Sequence, residues 1–280
     1  MKLIVEGIKR YRENPREDYL DERLSKTKEL GIRVIKISNK EYPARLKEIR
    51  DAPPLLYVLG RLPKTNKIIA VVGTRNPTKY GKEFSIGISR ELVRRGWAVV
   101  SGLARGIDTF AHKGALKAGK SKPKPTIAVV GCGLDRVYPP ENEELFREIS
   151  KKGAVISEHP IGTTVSAINL VNRNRIISGL SNGIIVVETG KRGGTIHTIY
   201  YADIQKKKIF YAEPKNKQAE QVKGLLFLRE KKIFYRNKIH KISTDIYEIP
   251  VLIQMDLSGN RRIEGFGDYA DFVISRLQTK

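Results

Sequence analysis

Short apolar, β-branched runs recur along the middle of the chain, separated by longer stretches of mixed polarity. Runs at 68–72 (IIAVV), 97–101 (WAVVS), 126–130 (TIAVV), 153–157 (GAVIS), 183–188 (GIIVVE) and 208–212 (KIFYA) predict six strands. They are nearly continuous in apolarity, not alternating, which is the pattern of strands covered on both faces. Helices fill the gaps. The best defined spans 79–95, where Phe84, Ile88 and Leu92 recur every four residues and Gly96 supplies a stop. Alternation of this kind builds βαβ units with right-handed crossovers. The fold class is therefore α/β, a doubly wound, mostly parallel sheet.

Outside 51–214 the rhythm fades. Residues 1–50 form a charged N-terminal extension, with a helix expected over Asp18–Leu30, a short strand at 32–37 and a helical turn at 44–49. Asp51-Ala52-Pro53-Pro54 is rigid, and Leu55–Gly60 reads as a strand. Residues 215–280 form a small basic C-terminal extension: a linker at 215–218, short segments at 224–235 and 239–249, and a weak helix over 268–277.

Charge changes the picture. The 280 residues carry 53 Lys and Arg against 30 Asp and Glu, a formal charge of +23. Such an excess favours a polyanionic partner, nucleic acid before a membrane surface. A solubilising lysine-rich surface is the plain alternative. The single cysteine, Cys132, excludes a disulfide framework and a multi-cysteine zinc site, and its place after IAVVG suggests a buried thiol. No apolar run approaches ~18 residues, and the N-terminus is too charged for a secretory signal. No membrane association and a cytoplasmic location are expected.

Four basic, glycine-bearing turns follow predicted strands, and ligands of doubly wound sheets bind at the carboxyl ends of strands. Gly73-Thr74-Arg75 combines a close backbone approach, N–H donors and a guanidinium fork. Ser101-Gly102-Leu103-Ala104-Arg105-Gly106 adds two glycines, a hydroxyl and a cation. Asp108 would cap the next helix or accept from Arg105, and His112, a turn further on, would face the crevice or pack. Arg173-Asn174-Arg175 places two cations at an expected helix start, against the helix dipole unless an anion sits there or a carboxylate such as Glu158 or Glu188 pairs with them. Thr189–Thr195, which includes Lys191, is a glycine-rich turn able to form an anion nest.

Common cofactor motifs fail. Gly131-Cys132-Gly133-Leu134-Asp135-Arg136 lacks the third glycine of a dinucleotide fingerprint. Gly81-Lys82 lies too far from Gly73 for a P-loop, and Glu83 stands where Ser or Thr is required. Ser157-Glu158-His159 has no nucleophile elbow around it. No metal-ligand spacing is present. No cofactor, metal or enzymatic activity is expected, and a rim of guanidinium and amide donors suits single-stranded nucleic acid.

VVGTRNPTKYG, VVSGLARGIDTFAHKGAL, VVGCGLDRVYPPEN, SEHPIGT and RNRIISGLSNGIIVVE together resemble the DNA-processing protein A (Smf) family, from about Ile37 to Pro214. The resemblance implies an extended Rossmann-like domain that binds and protects single-stranded DNA, forms a homodimer and helps load a RecA-type recombinase in DNA uptake or recombination. By position it implies a DNA-contacting set of Gly73, Thr74, Arg75, Ser101, Gly102, Arg173, Asn174 and Arg175, with Arg105, His112, Lys191 and Thr195 beside it. Two segments depart from the family. Leu170-Val171-Asn172 replaces a Phe-Pro pair before the RNR run, and Arg192-Gly193-Gly194-Thr195 replaces a Ser-Gly-Ser turn. The rival reading is a Rossmann-like nucleotide-binding sensor or phosphoribohydrolase-type enzyme, against which Ile196-His197-Thr198 stands where such enzymes carry a glutamate.

Overall fold

The structure, a computed structural model, describes residues 25–118, 125–214, 216, 218–249, 253–255, 261–263 and 266–279. Its strands in chain order are β1 (Ile32–Lys36), β2 (Leu55–Gly60), β3 (Ile68–Val72), β4 (Ala98–Ser101), β5 (Thr126–Val129), β6 (Ala154–Ser157), β7 (Gly183–Val186), β8 (Lys208–Ala212), β9 (Lys232–Tyr235), β10 (Lys238–Lys241), β11 (Ile246–Ile249), β12 (Ile253–Met255) and β13 (Arg261–Ile263). The helices are α1 (Ala44–Lys47), α2 (Lys79–Arg94), α3 (Ile107–Leu116), α4 (Glu143–Lys152), α5 (Ala167–Asn172), α6 (Asn174–Leu180), α7 (Gly194–Ile204), α8 (Lys223–Arg229) and α9 (Phe266–Gln278).

Nine of these strands form one sheet in the order β1-β2-β6-β5-β4-β3-β7-β8-β11. The seven strands from β6 to β11 run parallel, while β2 is antiparallel to β6 and β1 to β2. The six expected strands are all present, within two residues of their predicted limits. The seventh parallel strand, β11, comes from the basic segment at 239–249. With β1 at the opposite edge, the sheet crosses both ends of the 51–214 segment, which holds seven of its nine strands. Of the helix expected over Asp18–Leu30, only 25–30 is described; 25–29 is helical and Leu30 begins the turn at Gly31. Residues 215 and 217 of the expected linker lie outside the described residues.

Strand β3 shows why the apolar runs are continuous. Ile68, Ala70 and Val72 enter one core with α6, α7 and α8, while Ile69 and Val71 enter a second with α2 and α3. Every residue of β3 is buried. Helix α2 keeps its expected face inward, with Phe84, Ile88 and Leu92 at 1% exposure or less. It stops at Gly96, whose φ of +82° is readily available to glycine.

The C-terminal helix completes the second core. Tyr269, Ala270 and Val273 of α9 are buried against α2, and Phe84 meets the Tyr269 ring at 5.5 Å and the Phe266 ring at 6.0 Å. Arg95 closes this seam with a bidentate contact to Asp271 at 2.6 and 2.9 Å. Between β8 and β11 in sequence, the β9–β10 hairpin packs on α7 through β9, and α8 packs on β9 and β11. The hairpin turns through Arg236 and Asn237, both at positive φ, the backbone that a two-residue turn requires.

Phe84→Ala would remove the ring shared by α2 and α9. It is expected to lower stability by about 3–5 kcal/mol, read from urea denaturation.

Candidate functional site

The strand order reverses its direction of travel at β3. Strands β4, β5 and β6 add on one side, and β7 and β8 on the other. A crevice outside the carboxyl ends of β3 and β7 follows from this topology. A cleft of about 680 Å³ lies there, between the turns after β3 and β7 and the helices α5 and α6.

Glu188 holds the two turns together. It is 2% exposed. Its backbone carbonyl accepts from Thr74 N–H at 2.7 Å. Its carboxylate accepts from Thr78 N–H at 2.9 Å and from the Thr78 hydroxyl at 2.5 Å. Gly73 sits in the angle between them. A Cβ there would lie 2.5 Å from Ile107 Cγ1 and 2.8 Å from the Glu188 carbonyl oxygen, so only glycine fits. Gly106, at φ +76°, is pressed against the Thr74 and Arg75 backbone. Ile107 N–H then donates to Thr74 O at 3.1 Å. The first turn is thereby fixed from both sides, and Arg75 projects from it, exposed and without a carboxylate partner among the described residues.

Two helix N-termini approach the cleft. That of α3 is partly occupied: its first N–H, of Ile107, goes to Thr74 O at 3.1 Å, and in its first turn the buried Asp108 carboxylate accepts from the preceding loop, from Gly102 N–H at 3.1 Å and Ala104 N–H at 3.4 Å. Burial pushes the Asp108 pKa up, against the pull of Arg173 and these bonds. That of α7 is open. Gly193, at φ +139°, precedes it without a side-chain cap, and Gly194 and Thr195 line the cleft. Such an end presents N–H groups to an anion.

The arginines of the RNR run separate. Arg173, 4% exposed, forms part of the cleft floor. Its guanidinium lies on Gly102, where any Cβ would overlap it, and donates to Val129 O and, at 3.3 Å, to Leu170 O. Burial pushes its pKa down, while Asp108 works the other way. Asn174 also lines the cleft and donates to Gly194 O at 3.3 Å. Arg175 points away. It clamps Glu158 through two bonds of 2.7 and 2.6 Å, reaches Asp51 Oδ2 and Asp51 O at 3.1 Å each, and donates to Asn172 O at 3.1 Å. Burial works against its charge, but Glu158 outweighs it and the pKa rises. Of the two cations expected to meet an anion here, the structure brings only Arg173 to the cleft.

Two further expected contacts are core residues. Ser101 is fully buried and its hydroxyl donates to Val71 O at 2.7 Å. His112 is fully buried beneath the turns, with Nδ1 at 2.7 Å from Thr126 Oγ1. Thr126 spends its own proton on Val99 O at 2.8 Å, so its oxygen accepts and Nδ1 carries the hydrogen. A second proton would go to Nε2, which is buried with no hydrogen-bond partner. Burial, with Arg173 nearby, pushes the His112 pKa down to about 3.

Arg105 is exposed on the neighbouring rim, ion-paired with Glu141. Gly73, Thr74 and Thr195 line the cleft, and Gly102 lines a smaller recess beside it with Arg75 and Tyr138. Lys191 stands over the Phe227 ring at 5.1 Å and does not line the cleft, whereas its neighbour Arg192 does, seated over the Phe234 ring at 4.9 Å. The quoted turn contained Arg192, but the rings that seat it lie more than thirty residues on, beyond local pattern. Sequence reasoning also missed α5, which buries none of its residues and turns Leu170 and Val171 to the cleft. Cys132 is buried, and burial pushes its thiol up to about 11. Among the described residues no cluster of His, Cys, Asp or Glu could hold a metal ion.

A family model described as DNA recombination-mediator protein A matches residues 33–246. DNA processing protein DprA of Bacillus subtilis is 42% identical over 189 residues, 67% of this chain and 62% of the relative. Protein Smf of Synechocystis is 39% identical over 193 residues, 67% of this chain and 47% of the relative. The chain thus spans about half to three fifths of the length of these relatives. The solved DNA processing protein A from Streptococcus pneumoniae superposes with a TM-score of 0.69 at 32% identity, over 85% of this chain and 77% of that one. Its counterpart from Helicobacter pylori, described for its single-stranded DNA binding mode, superposes with a TM-score of 0.63 at 28% identity, over 71% and 88%.

Arg175→Ala would strand Glu158 in a half-closed interior and is expected to cost about 3 kcal/mol in urea denaturation. Arg75→Ala, at an exposed site, should stay within about 0.5 kcal/mol of wild type.

His112 adds a pH dependence. As pH falls from about 6.5 the unfolded chain binds a proton that the folded chain refuses until about 3, so stability drops across that window. His112→Gln should flatten the stability profile between about pH 6 and 4 by up to about 1.4 kcal/mol per unit, measured by denaturation at each pH.

Proposed function

The chain belongs to the DNA recombination-mediator protein A family, and we propose that the cleft at its β3–β7 switch point holds a single strand of DNA by the phosphodiester backbone. The observation that carries this reading is the chemistry of the lining. Arg75, Arg173 and Arg192 face the cleft, and its one carboxylate, Asp108, is buried and occupied by backbone donors. Among the described residues Arg75 and Arg192 meet no carboxylate, so their charge is available to phosphates. The open end of α7 adds backbone N–H groups.

Beside the cations, Leu170, Val171 and the half-exposed Tyr138 offer apolar surface to bases. Where the family resemblance implies a Phe-Pro pair, this chain presents Leu170 and Val171, which contact a base without stacking on it. Grip on this strand rests more on phosphates than on bases, and salt is the variable that reports it.

The role is binding, not catalysis: protection of an exposed strand and its delivery to a RecA-type recombinase in DNA uptake or recombination. A homodimeric assembly and a cytoplasmic location belong to the same proposal and rest on family membership. Among the described residues no helix is long and apolar enough to cross a membrane.

The deciding experiment is an oligothymidylate titration at several salt concentrations. Affinity should fall with a log–log slope of about −0.7 per phosphate neutralised. Arg75→Ala and Arg192→Ala should each weaken binding by roughly 1.5–3 kcal/mol, about ten- to hundredfold, with melting unchanged. A flat salt profile, or wild-type affinity in both variants, removes the strand from this cleft. The cleft volume also suits one nucleotide; displacement of the oligonucleotide by an equimolar nucleoside monophosphate would favour that smaller ligand.

A further inference from the structure

A second concavity, of about 1410 Å³, lies at the opposite end of the sheet. It opens where β5 and β6 begin, at Pro125 and Gly153. The last turns of α3 and α4 and the chain following β1 and β2 surround it. Seven lysines and arginines line it against one carboxylate, Glu41, far above the chain-wide ratio of 53 to 30.

Two of the seven are neutralised. Arg33 pairs with Glu41 at 2.6 Å and Lys152 with Glu148 at 2.7 Å. Lys40, Arg61, Lys64, Lys117 and Lys151 are exposed and have no carboxylate partner among the described residues. Lys117 and Lys151 close helices, where a cation offsets the dipole. Lys40, Arg61 and Lys64 sit on no helix end, and no dipole accounts for them. Their proximity is built in. Gly60, at φ +90°, lies against the carbonyls of Ser150 and Gly153, and Arg61 N–H donates to Gly153 O at 2.8 Å. This contact holds Arg61 beside the last turn of α4. Like charges fixed side by side repel unless an anion shares them.

We propose that this groove is a second nucleic-acid contact, which grips the phosphodiester backbone alone. Among the described residues no aromatic side chain lines it, so bases find none there to stack on and the grip is independent of sequence. At about 1410 Å³ the groove is far larger than a compact phosphate fills, and it is concave where a bilayer is flat, which fits a linear polyanion better than either. The four residues of β5, at about 3.3 Å each, separate groove and cleft by more than ~13 Å. That exceeds the Debye length of about 8 Å at physiological salt, so each site carries its own salt dependence. A short strand occupies the cleft; a long one engages both.

The test uses the full chain and oligothymidylates of about 6 nucleotides, within a single usual site of about 4–16, and of about 40, more than twice the longest such site. Wild type is compared with Arg75→Ala and with the triple variant Lys40→Ala/Arg61→Ala/Lys64→Ala, which leaves the helix-end lysines in place. For the long strand, the triple variant should bind more weakly and lose about 2 from the magnitude of the log–log salt slope. Its affinity for the short strand and its melting temperature should match wild type. An unchanged slope on the long strand overturns the proposal, as does an equal loss on both lengths, which would mark bulk charge. Loss of binding to phosphatidylserine vesicles with an unchanged oligonucleotide slope would assign the groove to a membrane and equally overturn it. If Arg75→Ala binds as wild type while the triple variant loses its slope, the groove stands and the cleft reading falls.

Discussion

One buried carboxylate sets the geometry of the cleft. Glu188, two residues beyond β7, reaches across to Thr78 at the start of α2, while its carbonyl takes the Thr74 N–H. The two strands are neighbours in space but more than a hundred residues apart in sequence. Val187 N–H donates to Val72 O at 3.1 Å at their carboxyl ends, and the Glu188 bridge carries that pairing on into the turns. With it, the turn carrying Arg75 and the turn carrying Arg192 become one rigid rim. Gly73 and Gly106 are consequences, positions where the backbone passes too close for any side chain. Guanidinium groups mounted on such a frame lose little further freedom when an anion arrives.

Arg173 and Arg175 show how far linear reading carries. Both were legible as cations conflicting with a helix start, and that conflict has two separate resolutions. Neighbours two apart on a helix point about 200° from one another, so one guanidinium faces the cleft floor and the other the Glu158–Asp51 pair. A contiguous motif thereby joins a ligand-facing residue to a structural one. Ser101 and His112 follow the same logic. A strand end or helix face close to a site contributes as many core groups as surface ones. Here Thr126 and Val71, distant in sequence, claim those polar atoms.

The parallel sheet was legible because its strands are covered on both faces and their apolar runs are uninterrupted. The elements missed are those whose burial comes from elsewhere. Strand β11 is four residues with a central glutamate, IYEI, and only pairing with β8 makes it a strand. Helix α5 is apolar yet buries nothing. Phe227 and Phe234 read as scattered aromatics in a basic tail, and their use as seats for Lys191 and Arg192 appears only once the chain folds back.

The edge strands have a consequence of another kind. Both come from outside the rhythmic segment, β1 before it and β11 after it. A fragment trimmed to 51–214 would keep every strand that frames the cleft, yet it would end at β2 and β8 with their outer N–H and C=O groups unpaired. Strand β8 is almost wholly buried in the intact chain, with KIFYA as its sequence. Bared, it becomes a template for other chains to add to. In the intact chain β1 and β11 cover those two edges, so the flanking segments act as selvedges that keep the apolar β8 inside the sheet.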